Sequence, residues 1–222
     1  MKKKSFITKI GKFSWIFLVA YLILGWRYLG VGILALLCIL APPIVAVYND
    51  GRIWCGNLCP RGSFNDNLLK KISRQKIIPQ AFSSIYLRVF ALFFLFFIFF
   101  TGIFYSSGEF NVISALLYRI VLFTTIITII LGVVINQRTW CKFCPMGSLA
   151  TFLTLCKRNI DVKVQSVQVK EEKCNKCNLC EKGCKMDLKP HSFDRAKNND
   201  LDCLHCQKCI KICPQDALKI DS

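Results

Sequence analysis

Residues 174–184 read CNKCNLCEKGC, and residues 203–213 read CLHCQKCIKIC. Both stretches space their cysteines as C-x2-C-x2-C-x3-C, and Pro214 directly follows the second. Bacterial proteins use this spacing to hold 4Fe-4S clusters: three close cysteines ligate one cluster, and the fourth reaches the other. The two stretches therefore predict two cluster sites.

The spacing rule assigns four ligands to each cluster. The first tail set is Cys174, Cys177, Cys180 and Cys213, and the second tail set is Cys203, Cys206, Cys209 and Cys184. A zinc module, with four ligands in two pairs, is one alternative. Disulfides are another, but they need an oxidising compartment. Two complete runs in series favour clusters over both.

Residues 167–220 resemble the bacterial two-cluster ferredoxins. Pro214 stands where that family has a proline, whereas Lys185 occupies the corresponding place in the first run. The resemblance implies a small sheet, in which residues 217–220 (ALKI) pair with residues 167–170 (VQVK).

The segments around the first run also carry patterns. Apolar and polar residues alternate between Cys156 and Lys173, which predicts a strand. Residues 185–202 are polar and rich in turn formers, so they predict a connector. His205, between two predicted ligands, is expected to be exposed.

The composition indicates a membrane protein. Hydrophobic residues make up 54% of the 222-residue chain, and the formal net charge is +17. Residues 1–156 contain 16 Lys and Arg against 3 Asp and Glu, whereas residues 157–222 contain 14 against 10. This excess flanks apolar runs, as on the cytoplasmic face of membrane proteins, and no nucleic-acid-binding motif accompanies it, so no nucleic-acid partner is expected.

Apolar runs predict four crossings. Residues 84–105 and 112–135 each suffice to cross a hydrocarbon core of about 30 Å. Residues 13–48 would form a helix of about 54 Å, too long for one crossing, so we expect two helices with a turn near residues 26–30. Basic residues at the amino terminus and in loop 49–82 place both on the cytoplasmic side. Arg119 is expected to extend toward the outer interface.

The predicted fold is therefore a helical membrane protein with four transmembrane helices in two repeated hairpins, followed by a C-terminal α+β two-cluster ferredoxin domain. The boundary is placed between residues 156 and 157. We expect a multi-pass protein of the cytoplasmic (inner) membrane, in contact with lipid, with both termini in the cytoplasm.

Each predicted hairpin ends in a related motif. Residues 52–64 read RIWCGNLCPRGSF, and residues 138–149 read RTWCKFCPMGSL. Both contain Arg, Trp, Cys and then Cys-Pro-x-Gly-Ser, which indicates an internal repeat. We call these segments the Cys-Pro motifs. Two such hairpins are expected to pack about a pseudo-twofold axis along the membrane normal.

The four cysteines of the motifs allow three interpretations. Cys55, Cys59, Cys141 and Cys144, here called the membrane-side set, would together form a tetrahedral sulfur site for an iron-sulfur centre or zinc. Separate pairs could act as redox-active dithiols. The cysteines could also be buried packing residues next to interfacial tryptophans. The repeated spacing favours the metal site, an additional centre beyond the two tail clusters.

With both motifs, nearly the whole chain resembles the NapH/NosR-type membrane polyferredoxins, although the second motif is one residue shorter. The resemblance implies single-electron transfer between a quinone pool or cytoplasmic donor and a partner redox protein, as a component of an oxidoreductase system. The cysteines would act as ligands, so no catalytic residue is predicted. Alternatives are a membrane metal-handling or cofactor-assembly reductase and a redox-sensing regulator.

Overall fold

The computed structural model describes residues 11–49, 51–106, 108–160, 165–194 and 200–221. The chain is mostly helical, with one small sheet in its described part. The helices are α1 Trp15–Arg27, α2 Ala35–Asn49, α3 Ile53–Asn57, α4 Pro60–Phe64, α5 Lys70–Ile72, α6 Ile85–Tyr105, α7 Phe110–Val134, α8 Thr139–Phe143, α9 Pro145–Asn159, α10 Leu179–Lys182 and α11 Lys208–Lys211.

Three segments are long and apolar enough to cross a membrane: Leu29–Tyr48, Ile85–Tyr105 and Phe110–Val134. The first joins a 3-10 helix, Leu29–Leu34, to α2, which continues through Pro42 and Pro43. These segments indicate a membrane protein. Arg119, on α7, is exposed.

Helix α1 is shorter than the three apolar segments. Its 13 residues extend only about 20 Å at 1.5 Å per residue. Tyr28 follows in an extended conformation, within the turn expected near residues 26–30. Tyr118 on α7 donates a hydrogen bond from its hydroxyl to the carbonyl of Leu22 at 3.0 Å. Helix α1 thus packs against α7, and the fourth crossing remains a prediction.

Gly32 allows the closest approach between this first segment and α7. It is buried, and a Cβ at this position would overlap the backbone of Ser114. At Gly30, a Cβ would only meet the Phe110 ring at 3.8 Å, an ordinary contact. Backbone atoms cannot move aside as a flexible side chain can, so of these two glycines Gly32 is the one that requires the absence of a side chain.

Gly32→Ala should therefore destabilise the protein by about 1–3 kcal/mol, the usual cost of overpacking. Gly30→Ala should have a much smaller effect. Thermal unfolding of both variants in the same detergent measures the difference. Equal midpoints for the two variants would contradict the packing described.

The sheet confirms the expected pairing. Strand β1, Ser166–Val169, runs antiparallel to β2, Leu218–Asp221, with Val167 opposite Ile220 and Val169 opposite Leu218. Each strand lies one residue from its predicted bounds. The predicted strand pattern from Cys156 was wrong in its first part, because α9 continues to Asn159 and crosses the expected 156/157 boundary. Residues 161–164 of that pattern lie outside the described ranges.

Candidate iron-sulfur site

The two Cys-Pro motifs have the same local structure. Cys59 and Cys144 each immediately precede a helix, with φ and ψ of −58° and 119° for Cys59 and −50° and 125° for Cys144. The following prolines take the first helical position, where their missing N–H has no helical partner to lose. The extra residue of the first motif is Leu58, which lies between α3 and Cys59. The length difference therefore leaves the conformation of both Cys-Pro units unchanged.

The arginine of each motif contacts the other motif. Arg52 donates a hydrogen bond to the carbonyl of Cys141, and Arg138 donates one to the carbonyl of Cys55 at 3.2 Å. Both arginines are only 1% exposed. Such a reciprocal exchange is the contact pattern that the expected pseudo-twofold axis would produce, and it fixes the backbone beside one cysteine of each pair.

The glycines of the motifs make room for these arginines. A Cβ at Gly147 would collide with the guanidinium of Arg52, and a Cβ at Gly62 would lie 3.1 Å from an Nη of Arg138. The Arg and Gly positions shared by the two motifs thus form one structural unit. The sequence revealed the repeat, but not that each arginine serves the opposite copy.

All four cysteines of the membrane-side set line one cavity of about 450 Å³. Burial raises the pKa of the Cys55 thiol to about 11, although Arg52 acts in the opposite direction. Burial likewise raises the pKa of Cys59. Thiols ligate metals as thiolates, so loading this site would release protons. Cys38, which fits no sequence motif, also lines the cavity.

The surroundings of the membrane-side set fit an anionic sulfur-rich group. The indole nitrogens of Trp54 and Trp140 are buried without a hydrogen-bond partner among the described residues, and both side chains line the cavity. Buried donors normally have acceptors, which thiolate and sulfide sulfur would supply. Within the described ranges, no three His, Cys, Asp or Glu side chains are grouped to hold a single ion. A 4Fe-4S cubane holds its ligands farther apart than a single metal ion does.

The first tail set surrounds its own small cavity. Cys174, Cys177, Cys180 and Cys213 all line a space of about 20 Å³ between the cysteine loop and the segment after Cys213. Cys177 is exposed, whereas Cys180 is buried. The structure thus gathers the four cysteines that the spacing rule assigns to one cluster, and this set lies nearest to solvent.

The second tail set is also gathered. Burial raises the pKa of Cys203 to about 12, and the nearby thiols of Cys209, Cys206 and Cys184 contribute to the rise. Cys180 of the first set and Cys209 of the second lie in one apolar core with Val167 and Leu218. The two tail sets are therefore neighbours.

The two cysteine runs have matching backbones, a feature that the sequence does not display. Left-handed residues occur at equivalent places: Lys176 and His205, Asn178 and Gln207, Asp187 and Asp216. A non-glycine residue in this region costs about 1–2 kcal/mol. Such turns direct successive backbone N–H groups into a concave surface, as in many iron-sulfur sites. Both runs bear this conformational cost at equivalent positions, as expected if both loops enclose an anionic cluster.

The second tail set adjoins the membrane-side set. Cys141, Met186 and Leu204 form one buried cluster, against which Cys55, Cys184 and Cys206 pack. Gly56, next to Cys55, lies so close to Leu204 that a Cβ would overlap its backbone. Leu204 and Met186 thus lie at the boundary between the two sets.

Ion pairs hold the C-terminal part of the chain that carries both tail sets, here called the tail, against the helical part that carries the Cys-Pro motifs. Asp202 pairs with Arg52 at 3.1 Å and with Arg88 on α6 at 2.5 Å. Lys185, which replaces the proline expected in a ferredoxin, pairs with Asp66 at 2.5 Å. The departure from the ferredoxin pattern at Lys185 therefore contributes a contact with Asp66, just after the first Cys-Pro motif.

Asp66 links this lysine to the second motif. It accepts two hydrogen bonds from Arg138, at 2.9 and 2.7 Å. Burial alone would raise the Asp66 pKa, but Arg138 and Lys185 outweigh burial and lower it to about 2. The carboxylate is therefore charged at neutral pH.

His205 lies in the same contact region. It is 9% exposed, and a Cβ at Gly51 would lie 2.7 Å from its Nε2. The expectation that His205 is exposed was wrong, because docking of the tail covers it.

The apolar helices indicate a membrane protein, and its three neighbouring sets of cysteines have the chemistry to bind metal as thiolates. The family model "4Fe-4S binding domain" matches residues 31–79 and again residues 115–163. Each match contains one Cys-Pro motif, which confirms the internal repeat. The matches support an iron-sulfur protein.

Two curated proteins of Methanocaldococcus jannaschii are similar to the chain. Uncharacterized protein MJ0749 is 26% identical over 81% of this chain and 68% of its own length. Uncharacterized protein MJ0750 is 25% identical over 76% of this chain and 71% of its own length. No solved structure matches significantly.

Proposed function

We propose that this protein carries single electrons between a soluble redox partner and the membrane through three 4Fe-4S centres. The observation that carries the proposal is the packing of Cys55 and Cys184 against one buried cluster that contains Cys141. This contact joins the second tail set to the membrane-side set. Bound 4Fe-4S clusters supply one-electron chemistry, at potentials of roughly −700 to +450 mV that depend on their surroundings.

The order of the sets follows from their burial and contacts. The first tail set includes the exposed Cys177 and is the place where a soluble partner can approach. Cys180 and Cys209 share a core, so the second tail set comes next. Met186 and Leu204 then separate it from the membrane-side set. Electrons would enter or leave the cytoplasmic end at the first tail set.

Several side chains near the three cysteine sets support this route. Buried Arg52 and Arg138 orient the backbone beside Cys141 and Cys55, and their charges offset those of thiolates. Asp202 and Lys185 hold the tail in contact. Trp54 and Trp140 would donate hydrogen bonds to sulfur, an interaction that raises the potential of iron-sulfur centres.

We further propose four crossings of the cytoplasmic membrane, with both termini inside. Lys12, just before α1, accepts a hydrogen bond through its carbonyl from Ser63 in the first Cys-Pro motif at 3.2 Å. At the other end of this segment, Gly30 approaches Phe110, where α7 begins. Residues 12–30 thus extend from the level of the motifs to the opposite end of the helices, which supports a short fourth crossing.

A lipid-soluble quinone is the proposed membrane partner. The cavity beside the cysteines continues between apolar side chains, including Leu37 of α2, Leu95 of α6 and Ile120 of α7. Arg61 lines this cavity, donates to the Thr124 hydroxyl at 2.9 Å, and lies over the Trp140 ring at 5.8 Å. A quinone matches an apolar cavity that contains a few polar donors.

The test uses the purified protein in sealed, anaerobic liposomes that contain ubiquinone or menaquinone. A membrane-impermeant reductant such as titanium(III) citrate is added outside, and quinone reduction is followed optically. We expect quinone reduction only in liposomes with outward-facing tails. Reduced tail clusters with unchanged quinone, in both quinone preparations, would overturn the quinone proposal.

A further inference from the structure

The two equivalent arginines obtain their carboxylate partners from different parts of the chain. Arg138, in the second motif, binds Asp66, which follows the first motif. Arg52, in the first motif, binds Asp202, which belongs to the tail. The symmetry of the membrane repeats is thus broken at this point.

The second repeat lacks a carboxylate at the equivalent position. Asp66 lies four residues after Gly62, and the residue four after Gly147 is Thr151. Thr151 is buried and donates its hydroxyl hydrogen bond to the carbonyl of Gly147 at 3.0 Å. It carries no charge, so the second repeat offers Arg52 no counterpart of Asp66.

Asp202, which lies in the tail outside both membrane repeats, is the carboxylate partner of Arg52. Its carboxylate lies between Arg52, which is buried, and Arg88, which is partly buried, and Asp202 directly precedes Cys203 of the second tail set. Burial alone would raise the Asp202 pKa, but Arg52 and Arg88 outweigh burial and lower it. Without Asp202, Arg52 would be a buried cation with no carboxylate partner among the described residues.

We propose that Asp202 is a positioning residue of the membrane-side site. It holds Arg52, whose guanidinium in turn holds the carbonyl of Cys141. The site therefore takes its ordered form only when the tail is docked, and electron transfer occurs within one docked unit instead of by a detached, shuttling tail. This inference rests on the proposed membrane-side centre.

The test compares two neighbouring aspartates in the full-length protein. Asp200 is also buried and forms a bidentate ion pair with Arg158 on α9, but its contacts do not include Arg52. Asp202→Asn removes the carboxylate from Arg52, whereas Asp200→Asn removes a docking contact of the same kind elsewhere. The readouts are the EPR spectrum and the midpoint potential of each centre.

We expect Asp202→Asn to change the spectrum and potential of the membrane-side centre and to leave the first tail centre unchanged. Asp200→Asn should leave the membrane-side centre as in the unmodified protein. Adding Thr151→Asp to Asp202→Asn supplies a carboxylate from the second repeat and should restore the original signal.

Equal effects of the two aspartate variants, or a membrane-side signal insensitive to Asp202→Asn, would overturn the inference. If Asp202→Asn fails to accumulate, recovery of folded protein by the added Thr151→Asp supports the inference, and failure to recover overturns it. Absence of any membrane-side centre from the unmodified protein would instead refute the proposed function.

Discussion

Replacing Cys55, Cys59, Cys141 and Cys144 by serine should abolish electron transfer from the tail to a membrane quinone. The four thiols line one cavity, and the second tail set packs beside two of them. The tail clusters should remain reducible by titanium(III) citrate, because none of their eight ligands is changed. The liposome assay and the EPR spectrum of the reduced tail measure the two outcomes.

Cys156→Ser is the matched control, because Cys156 lies on α9 outside both motifs. It should transfer electrons at the rate of the unmodified protein. Undiminished quinone reduction by the fourfold serine variant would show that the membrane-side set does not lie on the electron path.

Arg138→Gln should destabilise the protein by roughly 3–5 kcal/mol, the cost of removing one partner from a buried ion pair. The substitution leaves the partly buried Asp66 with Lys185 as its remaining ion-pair partner among the described residues, and it removes the donor to the Cys55 carbonyl. The measurement is the rate at which cluster absorbance disappears on heating in detergent, since unfolding of such proteins is usually irreversible.

Arg119→Gln provides the control for this substitution. Arg119 is also an arginine of the membrane part, but it is exposed on α7. Its replacement should change stability by no more than about 0.5 kcal/mol. Similar rates of cluster loss in the two variants would contradict the structural role assigned to Arg138.

The sequence predicts local features of this protein well, because they depend on short spacings. The cysteine runs predict two sets of four cysteines, and the structure gathers the members of each set. The pattern around them predicts the pairing of β1 with β2. The repeated motifs likewise predict a shared site, and all four of their cysteines line one cavity.

Contacts between segments that are far apart in the sequence were not predicted. Asp202 and Arg52 are 150 residues apart, and no periodicity marks two side chains that meet only after the tail has docked. Lys185 appeared only as a departure from the ferredoxin pattern, yet it binds Asp66. Cys156–Asn159 illustrates a different difficulty, since a few alternating residues also fit a helix end.

We propose that each of the three cysteine sets holds a 4Fe-4S centre. Anaerobic iron and sulfide determination, on the purified protein and on the fourfold serine variant, is the decisive measurement. We predict about twelve irons per chain in the first and about eight in the second, at four irons per centre. About eight in both would contradict the membrane-side centre, and iron-free protein would contradict the entire account.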